Sequence, residues 1–475
     1  MTTAASPLPS EFVWGTTAAA LQVEGAAHLE GRRDSVWDAF CRVPGAIAED
    51  HDGEVAADSY FRTADDVAVL RRLGVGAHRF SASWARVRPD GGSPNPAGVD
   101  HYSRLVDALL EAGVAPWLTL DHGDLPQALE DRGGWTDRAT ADRFVEHALT
   151  LHDALGDRVP VWTTFDDPWA TAVLGYGGAR HAPGRRDGRA AMAAVHHLLL
   201  AHGLVVAELR ARDPRARLSI GLGLEVIDPA DPADPDDVDA ARRVDGVRNR
   251  LLLDPLLRAR YPDDVVAGTE HLGLLDHVRD GDLATIATPI DLLGVGYEHG
   301  CAVSRRPPPP TPHGPDDAAE DDPLPVADGI HTVPRALPRT ATGREVRPED
   351  LTRLLLRLHR EYTAPAGVPL AVTGTGAAYD DVVGPDGGVD DPERRAFLAA
   401  HVRAVQEAVA AGADVRGFFV RSLLDGFEWM WGYTRRFGLV HVDFATQRRT
   451  VKASGEWYAQ VVAQGGLPGE ERSSR

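Results

Sequence analysis

Short runs of β-branched and aliphatic residues alternate along most of the chain with longer stretches whose apolar positions recur every three to four residues. This is the pattern of βα units repeated around a parallel sheet. Eight runs predict strands: Val13 with residues 18–21, then 77–81, 115–120, 161–165, 218–223, 292–297, 370–373 and 417–423. Between them Ala64, Val67, Ala68, Leu70 and Leu73 would share one helix face, as would Leu105, Leu109 and Leu110, and later Leu354, Leu355 and Leu358. The rhythm predicts an α/β fold, a (β/α)8 TIM barrel with helices as its outer ring, in a single domain over residues 1–475. Residues 304–347 break it with Pro307–Pro310 and many Asp and Gly. Strand and helix signals resume afterwards, so this stretch reads as a long irregular loop excursion within the barrel.

Composition narrows the choice of partners. The 475 residues are 43% hydrophobic, enough for a large core, and 50 basic against 71 acidic side chains give a formal charge of -21. Such a charge repels phosphate backbones and anionic membrane surfaces, which argues against nucleic acid. No apolar run approaches the roughly 20 residues that cross a bilayer, and the first residues lack the basic and apolar stretches of a signal peptide. With only Cys41 and Cys301 there is no disulfide framework, and a cytoplasmic location without membrane contact is expected. His122, His181, His196 and His197 show no ligand spacing, and there is no phosphate-binding glycine loop, so neither metal nor cofactor is expected.

In a barrel of this kind, chemistry sits at the C-terminal ends of the strands. Several of those ends are polar here: Asp121-His-Gly-Asp124 after the third strand, Asp166-Asp167 after the fourth, Glu298-His299 after the sixth, and Arg421 through Trp429 after the eighth. A single Asp after a strand is most often a helix N-cap, and Asp166, Asp167 or Asp425 alone would be read so. Four polar strand ends converging on one mouth point instead to a shared pocket for a small molecule.

The motifs identify a relationship. Phe12-Val-Trp-Gly-Thr-Thr-Ala-Ala-Ala-Leu-Gln-Val-Glu-Gly25 resembles the N-terminal signature of glycoside hydrolase family 1, which contains β-glucosidases, 6-phospho-β-glucosidases and myrosinases. His78-Arg-Phe-Ser-Ala-Ser-Trp84, Gly133-Gly-Trp135, Trp162-Thr-Thr-Phe165, His181-Ala-Pro-Gly184 and the segment from Gly417 to Tyr458 follow in family order. The resemblance implies a retaining-glycosidase scaffold for β-linked sugars. In it Gln22, His122, Glu428 and Trp429 would hold the innermost sugar, and Arg79 would support the nucleophile from below.

Departures from the family pattern concentrate in the same place. Its Thr-Phe-Asn-Glu-Pro reads Thr164-Phe-Asp-Asp-Pro168, putting Asp166 at the sugar-binding asparagine and Asp167 at the acid/base glutamate. Its nucleophile loop reads Val372-Thr-Gly-Thr-Gly376, so the lost nucleophile position is Gly374. Glu298, Asp121 and Arg421 replace aromatic residues. Retention by a double displacement needs two carboxyls about 5–5.5 Å apart, and glycine supplies none.

Three functions are therefore expected in descending order. The first is a repurposed enzyme in which Asp167 and Glu298, with Asp166, perform acid/base work on a sugar-like or polyol-bearing substrate without a covalent glycosyl-enzyme. The second is a non-catalytic glycoside-binding pseudoenzyme, and the third a weak, possibly inverting β-glycosidase. Asp121 and Arg421 would join Gln22, Arg79, His122, Glu428 and Trp429 in binding. Arg421 would favour an anionic substrate unless Asp121, Asp166 or Glu298 already neutralises it. In the inverting case, a water in the void at Gly374 would be polarised by Glu298 with Asp167 opposite.

Overall fold

A computed structural model describes residues 8–308 and 329–468. Its centre is a closed barrel of eight parallel strands: β1 (Val13–Ala18), β2 (Ala77–Ser81), β3 (Ala115–Asp121), β4 (Val161–Asp166), β5 (Arg217–Gly223), β6 (Leu292–Gly296), β7 (Leu370–Thr375) and β8 (Val415–Val420). Each strand pairs with its sequence neighbours in this set, and β8 closes on β1 with Trp14 opposite Phe418. The expected TIM barrel is present.

Sequence and structure part at the edges of elements. Of residues 18–21 only Ala18 belongs to the first strand; β1 ends there and a helical turn, Ala20–Val23, buries Gln22. The helix Thr63–Leu73 buries Val67, Leu70 and Leu73, but Ala64 and Ala68 face outward. Leu109 is buried on Pro96–Glu111, whereas Leu110, one residue or 100° further round, is exposed. The apolar stripe is narrower than the run of apolar letters suggested.

Gly188–Arg212 corrects a second expectation, because this 25-residue helix is long and apolar enough to span a bilayer. Most of its apolar window, 83%, is buried inside the protein. It packs against Ala139–Leu155 and against the helix after β4, and a helix covered on nearly all sides reads as apolar all round.

Inside the barrel, Ala77, Trp117, Val161, Leu292, Ala371 and Phe419 form an apolar plug, with the Trp117 and Phe419 rings 4.6 Å apart. Gly15 leaves room for Phe419, whose ring carbons would lie 2.3 Å from any Cβ there. The plug fills the barrel interior with packed side chains, as in other barrels of this kind. Beside the C-terminal mouth lies a small sheet in which Cys301–Ser304 pairs with Ile227–Pro229 and with His331–Thr332, the strand that the 304–347 excursion contributes. Pro309 and Pro310 of its proline run lie outside the described residues.

Candidate functional site

A cavity of about 350 Å³ opens at the mouth, and His122, Asp166, Asp167, Glu298, Gly374, Arg421, Glu428 and Trp429 line it. These residues come from the ends of β3, β4, β6, β7 and β8. Gln22 and Arg79 stand directly behind the lining: Gln22 donates to Glu428 Oε2 at 3.0 Å, and an Arg79 guanidinium nitrogen lies 2.8 Å from Asp166 Oδ1.

Asp121 is not part of the wall. It is 1% exposed, and its Oδ2 turns onto the following loop to accept the Gly123 N–H at 3.2 Å. Burial and the neighbouring Asp124 push its carboxyl well above the usual range. A buried, loop-facing acid beneath the site replaces the substrate contact expected from its position at a strand end.

Irregularities in two strands fall where the chemistry is expected. The β4–β5 register shifts between Thr163 and Asp166, and the β7–β6 register shifts between Val372 and Gly374. Such shifts re-aim side chains at a sheet's end. Asp167 follows with φ +44°, a left-handed conformation that Asp adopts more readily than most residues.

The two adjacent acids differ in charge state. Burial alone would raise both. For Asp166 the Arg79 guanidinium and His122, whose Nδ1 is 3.5 Å from Oδ2, override burial and hold the carboxyl at about 2. For Asp167 burial prevails over the opposing Arg248, and the carboxyl is raised. Its Oδ1 also accepts the Ala170 N–H at 3.3 Å, so a cap contact and a cavity position coexist in one side chain. Asp425, by contrast, is wholly structural: it is buried between Lys452 and Arg436 at 2.7 Å each.

Glu428 is raised to about 7 by burial, against the pull of Arg421 and Gln22. Burial lowers His122 to about 4, leaving a neutral imidazole as donor and acceptor. Trp429 closes one side, its ring 4.7 Å from Trp37 and 5.3 Å from His122. An indole face of this kind covers the apolar face of a pyranose.

Arg421 does not await an anion. Its two terminal nitrogens lie 2.5 Å from Glu298 Oε1 and 2.6 Å from Glu428 Oε2, and it sits 4.2 Å over the Phe437 ring. Arg344, from the excursion, engages the second oxygen of Glu298. The expectation of an anionic substrate is thereby replaced by internal neutralisation. The same pairing occupies both carboxylate oxygens of Glu298, the atoms that a water-activating role would need.

Arg344 was not anticipated: nothing in the irregular excursion marks one arginine above its neighbours. Nor was the Glu225–Arg248 pair, 2.9 Å apart with Arg248 stacked 3.9 Å over Trp169. Its signal is faint but present, a carboxylate two residues after β5 and an arginine in a charged helical run. Among the described residues no cluster of His, Cys, Asp or Glu has the arrangement of a metal site.

A parallel barrel whose mouth combines an indole wall, a hydrogen-bonded carboxylate–amide pair and buried carboxyls has the scaffold of a glycoside hydrolase. The chain belongs to glycosyl hydrolase family 1, whose model matches residues 4–467. It is 46% identical over 466 residues to a thermostable β-glucosidase B of Thermobispora bispora, covering 97% of this chain and 91% of that protein. The crystal structure of a psychrophilic β-glucosidase from Micrococcus antarcticus superposes with TM-score 0.94 at 50% identity, over 97% of this chain and 98% of that one. A Thermotoga maritima β-glucosidase solved with deoxynojirimycin gives 0.89 at 38%, over 97% and 99%.

Proposed function

We propose that this chain is a slow β-glycosidase that holds a β-linked pyranoside in the mouth cavity, protonates the departing oxygen from Asp167, and forms no covalent bond between sugar and protein. The observation that carries the reading is the contrast within the cavity. The groups expected to hold the sugar are assembled, His122, Glu428 and Trp429 in the wall and Gln22 behind Glu428, with a buried, raised carboxyl at Asp167, while a Cβ built at Gly374 would have no neighbour within 4 Å. In this reading Gly374 and Asp167 occupy the places of the family's two catalytic glutamates. The names of the relatives favour hydrolysis over a wholly new acid/base reaction.

Slowness follows from geometry. Glycine offers no nucleophile, and Asp in place of Glu withdraws the acid by about one C–C bond, where misplacements near 1 Å cost roughly 10²-fold. Aryl β-glucosides with good leaving groups should therefore be cleaved measurably and those with poor ones scarcely. Asp167→Asn should widen that difference, because only poor leaving groups need the proton. The non-catalytic alternative draws on the mutual neutralisation of Glu298, Arg421 and Glu428. Saturable sugar binding in a calorimeter, with no turnover of any aryl glycoside and no effect of Asp167→Asn, would establish it instead.

A further inference from the structure

The strand ends beside Asp167 are bare. Gly223 ends β5 and Gly296 ends β6, and they pair in register; Gly296 in turn pairs with Gly374 of β7. All three line the cavity, but the space above them differs. A Cβ at Gly223 would lie 2.5 Å from Asp167 Oδ2, so the acid already covers the first glycine. At Gly296 the nearest heavy atom would be 3.5 Å away, the Leu222 carbonyl, and at Gly374 nothing lies within 4 Å. The room thus widens from the acid toward β7, and Glu298, drawn off to Arg421 and Arg344, does not fill it.

A glycosidase without a nucleophile can still proceed by double displacement if the substrate brings one. The carbonyl oxygen of a 2-acetamido group reaches the anomeric carbon from the face opposite the leaving group, the side on which the protein carboxylate is missing; glycosidases using this substrate assistance are known exceptions to the two-carboxylate scheme. Such a site needs room for the acetyl group, an acid at the leaving oxygen, and an acceptor for the amide N–H. The glycine strip gives the room and Asp167 the acid. Asp166 is the acceptor: an ionised carboxylate only accepts hydrogen bonds, and its salt bridge to Arg79 and contact with His122 leave lone pairs unused.

We propose that the preferred substrates are β-linked 2-acetamido-2-deoxy sugars, hydrolysed with their own amide as nucleophile. This rests on the slow-glycosidase reading and names its substrate class. In the first step the amide oxygen bonds to the anomeric carbon, the glycosidic C–O bond breaks, and the departing oxygen takes the proton of Asp167. The resulting cyclic oxazolinium keeps its N–H on Asp166. In the second step water attacks the anomeric carbon, its proton returns to Asp167, and the C–O bond to the amide reopens. The products are the free sugar and the aglycone alcohol, with configuration retained.

The test compares 4-nitrophenyl 2-acetamido-2-deoxy-β-glucoside with 4-nitrophenyl β-glucoside. Intramolecular nucleophiles reach effective molarities of about 10⁵ M or more, so kcat/KM should favour the acetamido substrate by about 10²-fold or more. Proton NMR should show the β-anomer first, and rates should fall steeply along acetamido, difluoroacetamido and trifluoroacetamido substrates as the carbonyl loses nucleophilicity. Gly374→Leu, checked for an unchanged melting temperature, should remove the preference by filling the acetyl space. Turnover of the plain glucoside without an acetamido preference, release of the α-anomer, or a flat fluorination series would overturn the proposal while leaving the glycosidase reading in place. Inertness toward both substrates would overturn both.

Discussion

Asp166 and Asp167 are neighbours in the chain with the same side chain, and their surroundings drive them apart. Lowering Asp166 from an ordinary 3.8 to about 2 corresponds to about 2 kcal/mol of stability at roughly 1.4 kcal/mol per pH unit. A depressed carboxyl stabilises the fold above its unfolded value and loses that contribution as pH falls through its folded value. Denaturation of wild type and Asp166→Asn should differ most near neutrality, and the gap should narrow from about pH 4 toward pH 2. Asp167, raised by burial, must carry its proton to act. Its rate limb should fall with rising pH above the ordinary carboxylate range, and Asp167→Asn should abolish that limb. At Gly374 the open Cβ direction means that Gly374→Glu can be accommodated; it should raise aryl β-glucoside turnover about 10²-fold or more, with a burst of aglycone marking a covalent intermediate. The flanking motifs are what propose these positions in the sequence. The charge states could not be read there, since Arg79 and His122 reach Asp166 from other strands.

At the level of elements, strand positions were legible because eight apolar runs alternate with amphipathic stretches, the rhythm of βα units around a parallel sheet. Their ends were less so. Residues 18–21 read as strand from Ala18, Leu21 and their neighbours, but helix propensity prevails there, and the turn is what brings Gln22 to Glu428. The apolar letters of Gly188–Arg212 likewise record burial on several sides rather than one. Within it, Gly203 passes so close to a neighbouring segment that a Cβ would fall 2.1 Å from the Thr285 carbonyl oxygen. Glycine to alanine inside a helix ordinarily stabilises by roughly 0.5–1 kcal/mol. Gly203→Ala should instead destabilise by about 1–3 kcal/mol through overpacking, read as a lower midpoint in urea.

Across the whole molecule, the excursion between β6 and β7 was legible only as an interruption, because no periodicity constrains it. It nevertheless supplies Arg344 to the far side of the cavity, completing a line of alternating groups: Arg344, Glu298, Arg421, Glu428 and Gln22. Each inner member is held from both sides. The rotamer freedom of these five side chains is consequently surrendered when the chain folds, not when a sugar arrives, and binding to such a preorganised surface avoids roughly 0.5–1.5 kcal/mol for each side chain that would otherwise be immobilised. Releasing one end should return part of that loss to the binding step. Titration calorimetry of Arg344→Met with a neutral iminosugar should therefore show a less favourable entropy than wild type, so that a residue outside the barrel's regular frame sets the thermodynamic signature of what the barrel holds.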